Sequence, residues 1–153
     1  MEPANIRRVA FAELAASPAF ASLCAEYAQE SANAALVGRE PEHAAYLHME
    51  QNGTAHFLGV FKCDDLVGFA CVLVTPVPHF AGRLIGTTES IFVAAEHRTG
   101  GTGIALLHAA EALARELGAC GLYVSGPAEG RLARVLPSIG YRETNRVFFR
   151  GFE

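Results

Sequence analysis

The chain lacks the sequence signatures of a stapled or metal-held fold. Cys24, Cys63, Cys71 and Cys120 are scattered without a C-x-x-C pair, which argues against a zinc site or a disulfide framework and for buried free thiols. His43, His48, His56, His79, His97 and His108 make no metal-ligand spacing, so no metal is expected. No apolar run approaches the roughly 20 residues that span a bilayer, and Met1 to Arg8 carries no apolar leader core; the expectation is a cytoplasmic protein with no membrane partner. Charge is also scarce. Only 18% of residues are charged and the formal net charge is −4, so the clustered Lys and Arg that neutralise phosphates are missing and no nucleic-acid partner is expected. What is abundant is apolar: 51% hydrophobic residues exclude a disordered chain. At 153 residues the expectation is one domain, 1–153, burying about 70% of its extended-chain surface.

The richest signal is Ile91 to Leu107, where a β-branched and aromatic run meets Arg98-Thr-Gly-Gly-Thr-Gly103 and then a helical pattern. Glycines at a strand-to-helix turn let backbone N–H groups approach an anion, and the helix adds unpaired donors and the positive end of its dipole. A Walker A loop needs Lys followed by Ser or Thr after its last glycine, but Gly103 is followed by Ile104 and Ala105. A dinucleotide fingerprint would want Gly or Ala where Leu106 stands, and an acidic residue about 20 positions on, where Leu122 to Gly126 has none. Both motifs fail.

Periodicity predicts a first strand at Asn5 to Val9 and a helix at Ser17 to Gln29, with Ser17-Pro18 at its start. A second helix is expected at Pro41 to Gln51, then strands at Thr54 to Lys62 and Leu66 to Thr75 joined around Asp64-Asp65, and a third long strand at Leu84 to Val93. Leu106, Ala110, Leu113 and Leu117 place a helix at Gly103 to Leu117, closed by Gly118. Gly121 to Ser125 reads as a strand, Arg131 to Ile139 as a short helix, and Tyr141 to Phe152 as a terminal strand or hairpin. The class is α/β with a mixed sheet, a meander plus one βαβ crossover around the glycine loop.

Arg98-x-x-Gly101-x-Gly103, together with this element order and the ending Leu136-Pro-Ser-Ile-Gly140-Tyr141, resembles the GNAT-superfamily N-acetyltransferases, and the small bacterial and prophage-type members in detail. The resemblance implies a single GNAT-like domain with a central sheet of about six to seven strands flanked by about four helices. It implies acetyl-coenzyme A as cosubstrate and direct acetyl transfer to a small-molecule or peptide amine in a ternary complex. By the same resemblance Ile91, Phe92 and Val93 would hold the pantetheine arm, with a backbone N–H near Val93 polarising the thioester carbonyl. The diphosphate would fall to Arg98, Thr99, Gly100, Gly101, Thr102, Gly103 and Ile104, Arg98 giving its backbone N–H, its guanidinium or both.

An ammonium acceptor needs a base, and Glu89 stands where many members place one. It precedes Val93 by four residues, the same face of a regular strand. The competing expectation is a structural pair with Arg83 or Arg142. Leu136 occupies the position of the family's common thiolate-protonating Tyr, which leaves the acid open among Tyr123, Ser125, Tyr141 and water; Tyr141 is expected to fill the core. That departure also supports a different reading, an acyl-coenzyme A-binding regulatory or interaction module. The acceptor pocket is expected between the two N-terminal helices, the Pro76 to Gly82 loop and the chain end, with Tyr27, Glu30, Glu50 and His79 as contacts, and Val147 to Phe152 as an edge for a homodimer.

Overall fold

A computed structural model describes residues 3–152 apart from positions 32 and 37. Five strands form one sheet in sequential order: β1 (Asn5–Val9), β2 (Ala55–Lys62), β3 (Asp65–Val77), β4 (Arg83–Val93) and β5 (Leu122–Tyr123). The first three pairings are antiparallel, while β4 and β5 are parallel, joined over the sheet by helix α4 (Thr102–Glu116). The β2–β3 turn is centred one residue earlier than expected. Cys63 and Asp64 both have positive φ (48° and 69°) between the paired Lys62 and Asp65, the twist that lets a two-residue hairpin match right-handed strands.

The N-terminal helical region divides into α1 (Phe11–Ala16), α2 (Phe20–Glu30) and α3 (His43–Gln51). Ser17-Pro18 lies at the joint between α1 and α2, where the Ser17 and Phe20 amides bond back to Leu14 and Ser17; α2 is the helix expected over Ser17 to Gln29, starting at Phe20, and α1 is an additional helix before it. Glu50 on α3 accepts the amide of Phe11, the first residue of α1, at 2.8 Å, and thereby satisfies an orphan donor of that helix. Helix α4 stops at Gly118 (φ +87°), whose amide reaches Arg115 while that of Ala119 reaches Ala114, a Schellman closure. The last helix, α5 (Arg131–Val135), runs into a short 3-10 turn over Leu136–Ile139.

Among the described residues the sheet has five strands, not six or seven, with five α-helices around it, not four. Residues 141–152 form no strand: Val147, Phe148 and Phe152 are 89%, 88% and 93% exposed. Their side chains favour strand, but a ladder needs a partner, and β5 offers only two residues to either neighbour.

Two apolar clusters lie on opposite faces of the sheet. Under α4, Leu58, Val60, Ala70, Val72, Val93, Leu106 and Leu113 make an aliphatic core. Under α1 to α3, Phe11, Phe20, Phe57, Phe69 and Phe92 make an aromatic one. Among the described residues no helix is long and apolar enough to cross a membrane, and no group of His, Cys, Asp and Glu is placed to hold a metal ion.

Candidate active site

Strand β4 changes character halfway along. Gly86 and Thr87 pair with Leu122 and Tyr123, and beyond them β5 turns away, leaving one edge of β4 uncovered. The Ala94 amide donates to the Val67 carbonyl at 2.9 Å, so by alternation the backbone groups of Ser90 and Phe92 also face β3, and those of Ile91 and Val93 face the open edge. Ile91 and Val93 thus present main chain where a pantetheine arm is expected. Phe92 presents none there, and its ring belongs to the aromatic core.

The register between β3 and β4 shifts at this point. Cys71 pairs with Ser90 and Val72 with Thr88, so Glu89 is an extra, unpaired residue, a β-bulge. The bulge resets the side-chain alternation. Glu89 lines a cavity on the α1 to α3 face, together with Ser90, whereas Val93 packs under α4; the two do not share a face as a regular strand would have it. The bulge is held by two phenols: Tyr46 donates to Glu89 Oε1 at 2.9 Å, and Tyr27 donates to the Glu89 carbonyl at 3.3 Å. Neither Arg83 nor Arg142 is bonded to Glu89 among the described residues. Tyr46 gave no sequence signal except its place on the His43, Tyr46, Glu50 stripe of α3.

Burial and the Glu89 charge both raise the pKa of Tyr27 and Tyr46, so each stays a phenol and a donor at neutral pH. The thiols beside the carboxylate behave likewise. Burial, then Glu89, pushes Cys24 up to about 11, and Cys71 is raised by the same two causes, its thiol hydrogen-bonded to Glu89. Neither is a thiolate at neutral pH, so neither is an acyl-accepting nucleophile.

The cavity has a volume of about 440 Å³ and its floor is the aromatic core itself. Of the expected acceptor contacts only Tyr27 lines it. Glu30 is engaged elsewhere, Glu50 caps α1, and His79 stacks on Phe80 at 5.2 Å in the loop. The walls come from three helices, residues of the 31–41 connection between α2 and α3, and strands β2 to β4, not from the Pro76 to Gly82 loop or the chain end.

At the far end of β4 the chain passes through two 3-10 turns into α4. Gly100 and Gly101 have φ of +70° and +80°, which a side chain adopts only with strain, and a Cβ at Gly100, Gly101 or Gly103 would meet nothing within 4 Å. The result is a bare concavity in front of the first turn of α4, whose N–H groups have no intrahelical acceptor. Thr102, 6% exposed, caps inward to the Thr99 carbonyl at 3.1 Å, and Thr99 and Ile104 stand at the rim. These residues fit a diphosphate.

The Arg98 guanidinium is turned away from that concavity. Nε donates to the Val93 carbonyl at 2.7 Å, Nη2 takes both Glu30 oxygens at 2.8 and 2.9 Å, and the group sits 5.1 Å over the Phe92 ring. Arg98 fastens the end of α2 to the end of β4, and its backbone N–H donates to the Ala95 carbonyl at 3.4 Å. Tyr123 is on β5 opposite Thr87 and half-exposed, and Ser125 follows it in exposed chain. Tyr141 is not core filling. Its hydroxyl donates to Glu111 at 2.8 Å on α4, an engagement that removes it from the open edge of β4.

Residues 20–133, well over half of the chain, match the model of the acetyltransferase (GNAT) family. Among solved structures, a ribosomal-protein-alanine N-acetyltransferase from Brucella melitensis biovar Abortus 2308 superposes with a TM-score of 0.74 at 25% identity, covering 98% of this chain and 100% of that one. An aminoglycoside acetyltransferase from an uncultured soil metagenomic sample gives 0.76 at 16% identity, covering 99% and 100%. Glucosamine-6-phosphate N-acetyltransferase from Arabidopsis thaliana gives 0.75 at 11% identity, covering 99% and 100%. The last two likenesses concern the fold alone. No curated protein matches in sequence.

Proposed function

Because the chain belongs to the acetyltransferase (GNAT) family, we propose that it moves an acetyl group from acetyl-coenzyme A to a primary amine by direct transfer in a ternary complex. The observation that carries this reading is the bulged Glu89, a carboxylate at the mouth of a cavity, on the strand whose other end opens onto the glycine concavity. Gly100, Gly101, Gly103 and the first turn of α4 would hold the diphosphate, and the backbone of Ile91 and Val93 the pantetheine arm.

The chemistry follows from those positions. An alkylammonium near pKa 10 has no lone pair at neutral pH, so Glu89 first takes its proton, directly or through a water. The freed nitrogen attacks the thioester carbonyl; a C–N bond forms, the C–S bond breaks, and the nitrogen's second proton leaves. The backbone N–H of Val93 at the open edge stabilises the developing oxyanion, a contribution of about 3 kcal/mol where such a donor is preorganised. Tyr123 or Ser125, on the segment that leaves β4, or a water, gives the departing thiolate its one proton. The protonated state of Cys24 and Cys71 supports direct transfer over an acyl-enzyme. The exposed aromatic segment Val147 to Phe152 is the edge on which a homodimer would form.

Two measurements test the reading. Acetyl-coenzyme A at about 100 times its dissociation constant is expected to raise stability by roughly 2.7 kcal/mol, with ATP or NAD far less effective, and Gly101→Val is expected to abolish the shift. Free thiol is expected only when both acetyl-coenzyme A and an amine are present. A shift from ATP equal to that from coenzyme A overturns the cradle assignment. Thiol release that no amine accelerates overturns transfer and leaves a binding module.

A further inference from the structure

The cavity beside Glu89 has a floor of rings, Phe11, Phe20, Tyr27, Tyr46, Phe57 and Phe69. Phe11, Tyr46 and Phe57 lie with centroids 5.1 to 5.6 Å apart, Phe20 packs on Phe69 at 5.6 Å, and Tyr27 packs on Phe69 at 6.2 Å. With Phe92, seven of the chain's fourteen Phe and Tyr residues gather in this one cluster. A core of this composition ordinarily closes with no void larger than a water. Here about 440 Å³ stays open among the rings, within the range of small-molecule sites.

Charge around the cavity is sparse and nearly balanced. Glu89 and Glu40 are its carboxylates and Arg39 its cation, so the lining carries one net negative charge. One ammonium is complemented by that set. A second ammonium would find only Glu40, in competition with Arg39, and any further one would face the ring floor at a desolvation cost that favours its exclusion.

Resting on the acetyl-transfer reading above, we propose that the acceptor is a primary monoamine with an apolar, aromatic body, an arylalkyl amine, whose ring enters the cluster of Phe11, Phe20, Phe57 and Phe69 while its nitrogen stays at Glu89. The ring gains edge-to-face contact with walls already arranged that way, and the phenols of Tyr27 and Tyr46 stand at the polar end. Before deprotonation the ammonium also lies against ring faces, which attract cations.

Thiol release is measured with 2-phenylethylamine, ethylamine, spermidine, an aminoglycoside and a peptide with a free N-terminus, all with acetyl-coenzyme A. The arylalkyl amine is expected to have the highest kcat/KM, with ethylamine lower by about tenfold or more for want of the ring. Ala28→Trp, at a half-exposed lining position, is expected to lower the phenylethylamine rate by more than the ethylamine rate, with the acetyl-coenzyme A thermal shift near wild type. A preference for spermidine, the aminoglycoside or the peptide overturns the substrate class and leaves acetyl transfer standing. Equal rates for phenylethylamine and ethylamine in the wild-type protein overturn it whatever the variant does. Thiol release with none of the five amines overturns both readings together.

Discussion

The two faces of the sheet are built from different chemistry. Under α4 the buried residues are Val, Leu and Ala, interdigitated beneath one long helix. Under α1 to α3 the rings of Phe11 and Phe20 from short helices and of Phe57, Phe69 and Phe92 from the strands join Val9, Leu14, Leu23 and Leu66, beside a void. Branched aliphatics fill space to native density and leave nothing to bind, whereas flat rings meeting edge to face leave gaps between short elements. On the proposed reading, proton abstraction falls to the ring face and stability chiefly to the aliphatic one, and β4 serves both: Ile91 and Val93 pack under α4, while Glu89, Ser90 and Phe92 face the rings.

The strongest way to break that division is to damage the aliphatic face. Leu113, 5% exposed on α4, lies about 16 Å along the helix from Thr102 at 1.5 Å per residue. Leu113→Ala is expected to cost about 2–5 kcal/mol of stability through lost burial and a cavity. Denaturant unfolding measures the loss, and kcat/KM measured well below the transition is expected to stay within about twofold of wild type. A large drop in turnover from a protein shown to be folded would mean the faces are not separable.

The reciprocal change is Glu89→Gln on the aromatic face. It is expected to leave stability and coenzyme A affinity nearly unchanged and to lower acetyl transfer by about 100-fold or more near neutral pH. The deficit shrinks as pH rises, because more acceptor arrives as free amine and needs no base. A pH profile of kcat/KM for both proteins decides this: full activity at pH 7, or a deficit flat with pH, moves the base to another group.

What the sequence showed of each face follows the same division. The aliphatic face was legible because α4 is long and strictly periodic and its strands are continuous β-branched runs; the helix and its Gly118 stop appear where expected. The glycine loop was legible because φ above zero leaves glycine as its mark. The aromatic face was not. Helix α1 has six residues, too few to show a period, and its ring partners Phe20, His43, Tyr46 and Phe57 come from three separate elements. The bulge at Glu89 is a property of pairing, invisible in a single strand, so a four-residue spacing that reads as one face became two. Arg98 was legible as important, but its engagement with Glu30, 68 positions away, was not. The terminal strand failed for the opposite reason: local propensity at Val147 to Phe149 was strong, and no strand among the described residues pairs with it.

The smallest effect sharpens the comparison with pH. Buried polar side chains are few on the aliphatic face, and two of them are His56, 9% exposed opposite Val72, and Thr88, whose hydroxyl finds no hydrogen-bond partner among the described residues. His56 is locked as a neutral ring. Its Nε2–H donates to the Gly53 carbonyl at 2.9 Å, and Nδ1 accepts from Arg8 at 2.9 Å, a cation that no imidazolium would welcome. Burial, outweighing the Gly53 bond, and the Arg8 charge hold its pKa below the ordinary value of 6.5. The sign follows from linkage: between about 6.5 and the lower folded value the unfolded chain binds more protons, so stability rises with pH across that window and is lost as pH falls below about 6.5. Glu13, lowered by its hydrogen bond to Arg7, acts only nearer its own ordinary value of 4.5, so the two windows are separate. His56→Gln is expected to lose some stability at pH 8 and to show a flatter decline between pH 7 and 5 than wild type, read by denaturant midpoints at each pH. Parallel declines in the two proteins would place the acid sensitivity on another group and remove His56 as the titrating element of the structural face.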